Sequence, residues 1–208
     1  MKERTFRPAP LIGMVLLAAL LWFITFALGG PSFWVKISVS AATLAGLSLF
    51  LQPPRREEFR FDARAIALGL IAAAALYLVF YMGKAVSTTL FDFAGRQIGG
   101  IYTKAMGMPL GGIALLLFFV TGPSEEIFWR GYLQRQLMKR FGRWPGWALA
   151  TAVYAGVHVC SLNFMLVGAA AVAGAFWGAM YARCGNLAPV IVSHSVWSAV
   201  IFAVLPMH

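Results

Sequence analysis

The chain has 208 residues, of which 61% are hydrophobic and 12% are charged, whereas a soluble domain is about 45–50% apolar and about 25% charged. This composition excludes an ordinary soluble enzyme and predicts an all-α, polytopic bundle of transmembrane helices surrounded by the lipid bilayer. The net charge of +10 does not indicate nucleic-acid binding, because the basic residues fall in short loops and form no aromatic-interleaved groove.

Apolar runs along the chain predict seven membrane spans. The first run, residues 11–28, has about 18 apolar residues against the usual 7–15 of a signal peptide, so we interpret it as a retained span. The other spans are predicted at residues 33–51, 65–85, 108–133, 144–161, 164–181 and 187–205.

The segment between the third and fourth spans, residues 86–107, is predicted to lie outside the membrane core. It contains four apolar or small residues at intervals of three and four positions, namely Phe91, Ala94, Ile98 and Tyr102. This spacing favours a short amphipathic helix at the membrane interface.

The basic residues predict the orientation of the bundle. Predicted inner segments contain 13 of the 17 lysines and arginines, and the exceptions are Lys36, Lys84, Arg96 and Lys104. Because short cytoplasmic loops are enriched in basic residues, we expect the N-terminus and the loop at residues 52–64 to be cytoplasmic. Lys36 is close enough to an outer span end for its amine to reach the interface.

Two adjacent carboxylates, Glu125 and Glu126, interrupt the fourth predicted span. A charged acid at the bilayer centre costs roughly 2.5–3.5 kcal/mol on insertion scales, so this pair indicates a functional site. Arg130 follows Glu126 by four residues and can neutralise it from the same helix face. We therefore assign Glu126 and Arg130 to orientation and Glu125 to chemistry. For the same dipeptide in the polar loop, Glu57 and Glu58, we expect only solvation.

Two histidines lie within later predicted spans. Tyr154 precedes His158 by four residues and Ser198 follows His194 by four, so each pair projects from one helix face. These groups suffice for peptide hydrolysis. Glu125 can act as general base, one histidine can share the water or protonate the leaving amine, and a second histidine with a hydroxyl can stabilise the oxyanion.

A metal site is the alternative use of the same residues. Glu125, His158 and His194 would form a zinc set with an open position for water. The sequence contains no H-E-x-x-H motif, so we favour no cofactor and leave zinc open. Cys160 and Cys184 lack metal-type spacing and are interpreted as packing residues.

The pattern Glu125-Glu126-x-x-x-Arg130, then Tyr154-x-x-x-His158, then His194 resembles the CPBP (CAAX protease/Abi) family of intramembrane endopeptidases. The resemblance covers residues 108–205, which we predict as the catalytic core, whereas residues 1–107 carry no motif. It implies that Glu125 and His158 activate water, while His194 and Ser198 stabilise the oxyanion. Tyr154 stands where the family usually has Phe, and Ser198 where Asn is common.

The sequence thus predicts an intramembrane endopeptidase of a bacterial inner membrane, with its cavity open to the cytoplasmic side. We expect its substrate to be a membrane-associated or exported protein or peptide. Two alternatives remain. One is a non-catalytic scaffold or bacteriocin-immunity-type protein with the same fold. The other is a small transporter that uses Glu125 as a proton carrier, although we find no internal repeat of the kind expected for transporters.

Overall fold

A computed structural model of the chain describes residues 8–29, 32–105 and 108–207, and this part of the chain contains helices and no strands. The predicted all-α fold is confirmed. The helices are α1 (Pro8–Ala27), α2 (Phe33–Leu51), α3 (Ala63–Leu90), α4 (Ala94–Tyr102), α5 (Leu110–Phe141), α6 (Arg143–Val157), α7 (Phe164–Cys184) and α8 (Leu187–Val204). The N-terminal residues 1–7, predicted to be cytoplasmic, lie outside the described residues.

Side-chain caps mark where several helices begin. Asp62 accepts a hydrogen bond from the Ala65 amide at 2.8 Å and starts α3, and this bond lowers the pKa of Asp62. Asn163 and Asn186 cap α7 and α8 in the same way. These caps satisfy backbone donors that have no partner inside the helix.

Two of the long helices are not uniformly α-helical. In α5, π-helical segments at Leu117–Thr121 and Trp129–Gln134 flank the α-helical stretch Gly122–Phe128, which carries both glutamates. In α8, a π-helical segment at Val200–Val204 follows the histidine. Insertions of this kind are frequent at functional sites because they change the direction of neighbouring side chains.

Six helices of the described chain are long and apolar enough to cross a membrane: α1, α2, α3, α5, α7 and α8. The fifth predicted span, residues 144–161, is shorter than expected. Its helix α6 has 15 residues, so it spans about 22 Å, against a bilayer core of about 30 Å. A 3-10 turn, His158–Ser161, ends it, and Leu162 then adopts the left-handed conformation.

One end of the bundle, which we call the basic end, contains the loops 52–62, 142 and 185–186. Arg135 on α5 donates to both oxygens of Glu58 at 3.3 and 3.2 Å, and Tyr181 on α7 donates to the same carboxylate at 3.1 Å. The Glu58 side chain is only 15% exposed. Our expectation that this glutamate is merely solvated is wrong, because its loop folds back onto α5 and α7. Glu57 is exposed, as expected.

The opposite end, which we call the α4 end, contains α4 and the described residues of the connections from α1 to α2, from α3 to α5 and from α6 to α7. Asn163 donates to the backbone carbonyl of Gln97 at 2.8 Å, which attaches α4 to the start of α7. The Met207 amide donates to the Tyr102 hydroxyl at 3.0 Å, which attaches α4 to the end of α8. The predicted short helix in this segment is therefore present. Lys36 donates to backbone carbonyls at the end of α1.

The Glu58 contacts predict a measurable difference between two neighbouring glutamates. Glu58→Ala leaves the Arg135 guanidinium buried without its carboxylate, so we expect the free energy of unfolding to fall by about 1–3 kcal/mol. Glu57→Ala is the matched control and should change it by less than about 0.5 kcal/mol. Reversible unfolding in detergent micelles measures both values. Equal stability of the two variants would show that the loop contact contributes nothing.

Candidate active site

The two glutamates of α5 are buried inside the bundle, with 7% of Glu125 and none of Glu126 exposed. Gly122, one turn earlier, allows α5 to approach α8 closely, because a Cβ at this position would lie 2.6 Å from the Ser195 hydroxyl and 3.0 Å from its Cα. This close approach brings the carboxylate of Glu126 within reach of His194 on α8.

Glu126 is the centre of a buried ion network. Its Oε1 accepts hydrogen bonds from Arg130 Nη1 at 2.8 Å and from His194 Nδ1 at 2.6 Å. Arg130 also donates to the carbonyl of Gly174 on α7 at 3.3 Å. A buried charge without a partner is strongly destabilising, so Arg130 makes it feasible to bury this carboxylate. The contact predicted from the four-residue spacing is present.

His194 is fixed from two directions. Its ring stacks on Trp177 with centroids 3.8 Å apart and an interplanar angle of 15°. Because a carboxylate only accepts hydrogen bonds, the His194 Nδ1 facing Glu126 carries a proton. Nε2 is then the ring nitrogen left for chemistry.

Glu125 is oriented by a hydroxyl rather than by a cation. The Tyr154 hydroxyl on α6 donates to its Oε2 at 3.0 Å. This is the tyrosine that stands where the resembling family usually has Phe, so the substitution supplies a hydrogen bond to the carboxylate.

The end of α6 shapes the environment of His158. The His158 amide bonds to the Ala155 carbonyl instead of continuing the α-helical pattern, so the carbonyl of Tyr154 is available to another donor. The His158 Nδ1 donates to that carbonyl at 2.7 Å. Because a carbonyl only accepts, Nδ1 carries the proton and Nε2 is an acceptor in the neutral ring.

Trp22 on α1 occupies this remaining nitrogen. Its indole Nε1 donates to His158 Nε2 at 3.2 Å, and its side chain is fully buried. The sequence does not predict this contact, because one tryptophan in an apolar span cannot be distinguished from a packing residue. In this arrangement both ring nitrogens of His158 are engaged, and activation of water at Nε2 requires the indole to move.

The sequence-predicted residues separate into two groups around one cavity of about 420 Å³. The cavity is lined by Glu125, Tyr154, His158, His194 and Ser198, together with mostly apolar and aromatic side chains. The ion pair of Glu126 and Arg130 lies behind this lining. The structure shows the contact between Glu126 and Arg130, whereas the roles assigned to these two residues and to the lining residues stay predictions.

The zinc alternative does not fit the side chains as they are arranged. Among the described residues, no three His, Cys, Asp or Glu side chains lie together in a way that could ligate a metal ion. His158 Nε2 accepts a hydrogen bond from the indole of Trp22 and is not free to bind a metal ion, whereas the contact of His194 Nδ1 with Glu126 leaves the Nε2 of His194 available. We derive no step through a metal.

The cavity and the basic end lie on opposite sides of the bundle. From the sequence we expect both the basic loops and the cavity opening to lie on the cytoplasmic side. The cavity is instead lined by residues towards the α4 end, including Phe33, Phe91, Tyr102, Phe164 and Met207. The basic loops and the cavity opening therefore cannot both be on the cytoplasmic side.

Comparison with protein families identifies the segment that contains this site. Residues 107–200 match a family described as Rce1-like, type II CAAX prenyl endopeptidase Rce1-like. Over this segment, which is less than half of the chain, the protein is similar to CAAX proteases. The resemblance drawn from the motifs is thereby confirmed, and the matched segment contains every site residue except Trp22. Searches among curated proteins and solved structures give no match.

The contact between Trp22 and His158 predicts a spectroscopic effect. Trp22→Phe keeps an aromatic ring and removes the N–H donor, so we expect the ¹⁵N NMR resonance of His158 Nε2 in detergent micelles to move. The free energy of unfolding should fall by about 0.5–1.5 kcal/mol, the value of one hydrogen bond. Trp34→Phe is the control, because the Trp34 N–H has no partner among the described residues. An unchanged Nε2 resonance in Trp22→Phe would contradict the hydrogen bond.

Proposed function

We propose that this protein hydrolyses a peptide bond of a membrane-associated or exported protein or peptide, using water activated by Glu125 and His158. The observation that carries the proposal is the Glu125 carboxylate, which lines an apolar cavity inside the bundle beside two histidines. Burying an acid in such a cavity costs free energy, so its presence indicates a function.

Glu125 acts as the general base. The Tyr154 hydroxyl binds Oε2, so Oε1 is available to accept a proton from water. The water oxygen bonds to the carbonyl carbon of the scissile peptide, and the resulting tetrahedral intermediate carries an oxyanion. Glu125 then gives its proton to the amide nitrogen, the C–N bond breaks, and the products are a carboxyl terminus and an amine.

His158 shares the activated water once its Nε2 is free. In the structure Trp22 donates to that nitrogen, so water and the indole compete for the same lone pair. Phe26, which lines the cavity, also packs against the His158 ring with centroids 5.8 Å apart. A substrate that enters beside Phe26 contacts α1 directly and can displace the indole from His158.

His194 and Ser198 stabilise the oxyanion. Nδ1 of His194 donates to Glu126, so Nε2 donates to the oxyanion only when the ring is doubly protonated. Glu126 stabilises that imidazolium. When His194 is an imidazolium, its positive charge and that of Arg130 balance the negative charges of the two glutamates. The four buried side chains then have no net charge. The Ser198 hydroxyl supplies a second donor four residues along α8.

The proposed base predicts the effect of a single isosteric change. Glu125→Gln keeps the shape and the Tyr154 contact but cannot accept the proton, so we expect the cleavage rate to fall by at least about 100-fold. The purified protein in micelles is incubated with a pool of apolar peptides, and new N-termini are counted by mass spectrometry.

Glu57→Gln, an exposed glutamate at the basic end, is the matched control and should cleave like the wild type. In cells, a processing event lost both in a deletion strain and in a strain carrying Glu125→Gln identifies the substrate. Full rescue of the deletion by Glu125→Gln would favour the non-catalytic scaffold instead.

The oxyanion role predicts that two substitutions at Ser198 affect kcat differently. Ser198→Ala removes the donor, so kcat should fall by up to about 100-fold while KM changes little. Ser198→Asn restores the residue that is common in the family and should retain at least wild-type kcat. The same peptide assay measures both variants. A Ser198→Ala protein with wild-type kcat would remove Ser198 from the proposed mechanism.

A further inference from the structure

The cavity extends from the glutamate in one direction only. Its walls include Phe26 near the end of α1, Phe33 at the start of α2, Ser87 near the end of α3, and Phe202 near the end of α8. All of these positions belong to the α4 end. None of the described residues of the basic-end loops contributes to the lining. The site is thus closed towards the basic end.

The cavity reaches the molecular surface where α3 and α4 face α7. Four large hydrophobic residues of the lining are exposed: Val79 (38%), Phe91 (41%), Val172 (44%) and Phe164 (62%). Val79 and Val172 lie within membrane-length helices, whereas Phe91 and Phe164 lie at the α4 end. We call this opening the mouth. It faces both the bilayer and the surface at the α4 end.

The charges of the loops indicate which end is cytoplasmic. Among the described residues, nine basic residues lie at the basic end: Arg55, Arg56, Arg60, Arg64, Arg135, Lys139, Arg140, Arg143 and Arg183. The α4 end has four: Lys36, Lys84, Arg96 and Lys104. Because cytoplasmic loops of membrane proteins are enriched in Lys and Arg, this asymmetry assigns the basic end to the cytoplasm.

From these observations we propose that the mouth opens on the non-cytoplasmic side of the membrane. The proposal rests on the proposed hydrolysis and specifies its substrate class. The enzyme takes an apolar peptide segment from a protein exposed on the outer side or anchored in the outer leaflet. The exposed Phe91 and Phe164 at the mouth and the aromatic walls beyond it bind apolar side chains, which leave water on entry.

The orientation is tested with two exposed acidic residues at opposite ends, Asp92 at the α4 end and Glu57 at the basic end. Each is replaced by cysteine in a background that carries Cys160→Ser and Cys184→Ser. Intact cells are treated with a sulfonated, membrane-impermeant maleimide. We expect it to label Asp92→Cys and to leave Glu57→Cys unlabelled until the membrane is permeabilised. Labelling of Glu57→Cys alone in intact cells would overturn the proposal.

The side of substrate entry is tested separately in oriented proteoliposomes. Apolar peptides fused to a soluble carrier protein that cannot cross the membrane are added outside or enclosed inside. Cleavage is expected only on the side where Asp92→Cys is labelled. Cleavage confined to the side of Glu57→Cys would overturn the proposal but leave the hydrolysis intact.

Failure of the proposed hydrolysis gives a different result from failure of the proposed orientation. If Glu125→Gln cleaves as fast as the wild type in detergent, the hydrolytic mechanism fails, whereas the maleimide labelling still decides the side on which the mouth opens.

Discussion

The structure of the site depends on one buried carboxylate that does not face the cavity. Glu126 has no exposed surface and accepts hydrogen bonds from Arg130 and His194 on the same oxygen. Removing a charge from water costs several kcal/mol, and only close partners in good geometry offset that cost. The network therefore fixes the relative positions of α5 and α8. Through the Gly174 carbonyl it also fixes α7.

The carboxylate of Glu125 lies in a different environment from that of Glu126, although the two residues are adjacent. Successive helical residues point about 100° apart, from about 3.6 residues per turn, so Glu125 faces the cavity while Glu126 faces the ion network. A hydroxyl orients Glu125 without neutralising it. A guanidinium at the same distance would stabilise the anion and make it a weaker base. The division between one paired and one unpaired carboxylate is what the proposed chemistry requires.

The sequence alone singles out the polar residues of this region, because ionisable residues in apolar helices are costly and rare. Five residues stand out for that reason, and the structure brings them into one region: Glu125, Glu126, Arg130, His158 and His194. The four-residue spacing of Glu126 and Arg130 was sufficient to predict their contact. The resemblance to CAAX proteases rests on the same residues.

The remaining features depend on tertiary contacts that spacing does not encode. The early end of α6 follows from a change of backbone hydrogen bonding at His158, not from a loss of apolar residues. The contact of Glu58 with Arg135 joins positions 77 residues apart. The direction of the cavity depends on how the helices pack at the α4 end, whereas the positive charge of the loops indicates only the orientation of the bundle.

The first helices carry no motif, yet the site is incomplete without them. The family match covers residues 107–200, but the partner of His158 Nε2 comes from α1 and several cavity walls come from α1 to α4. The indole N–H of Trp22 opposes protonation of His158 at Nε2, because two donors would then face each other. The same contact excludes water from that nitrogen. In the proposed mechanism, an apolar segment that packs against α1 removes both restraints at once, and the motif-free part of the chain thereby couples substrate binding to activation of the histidine.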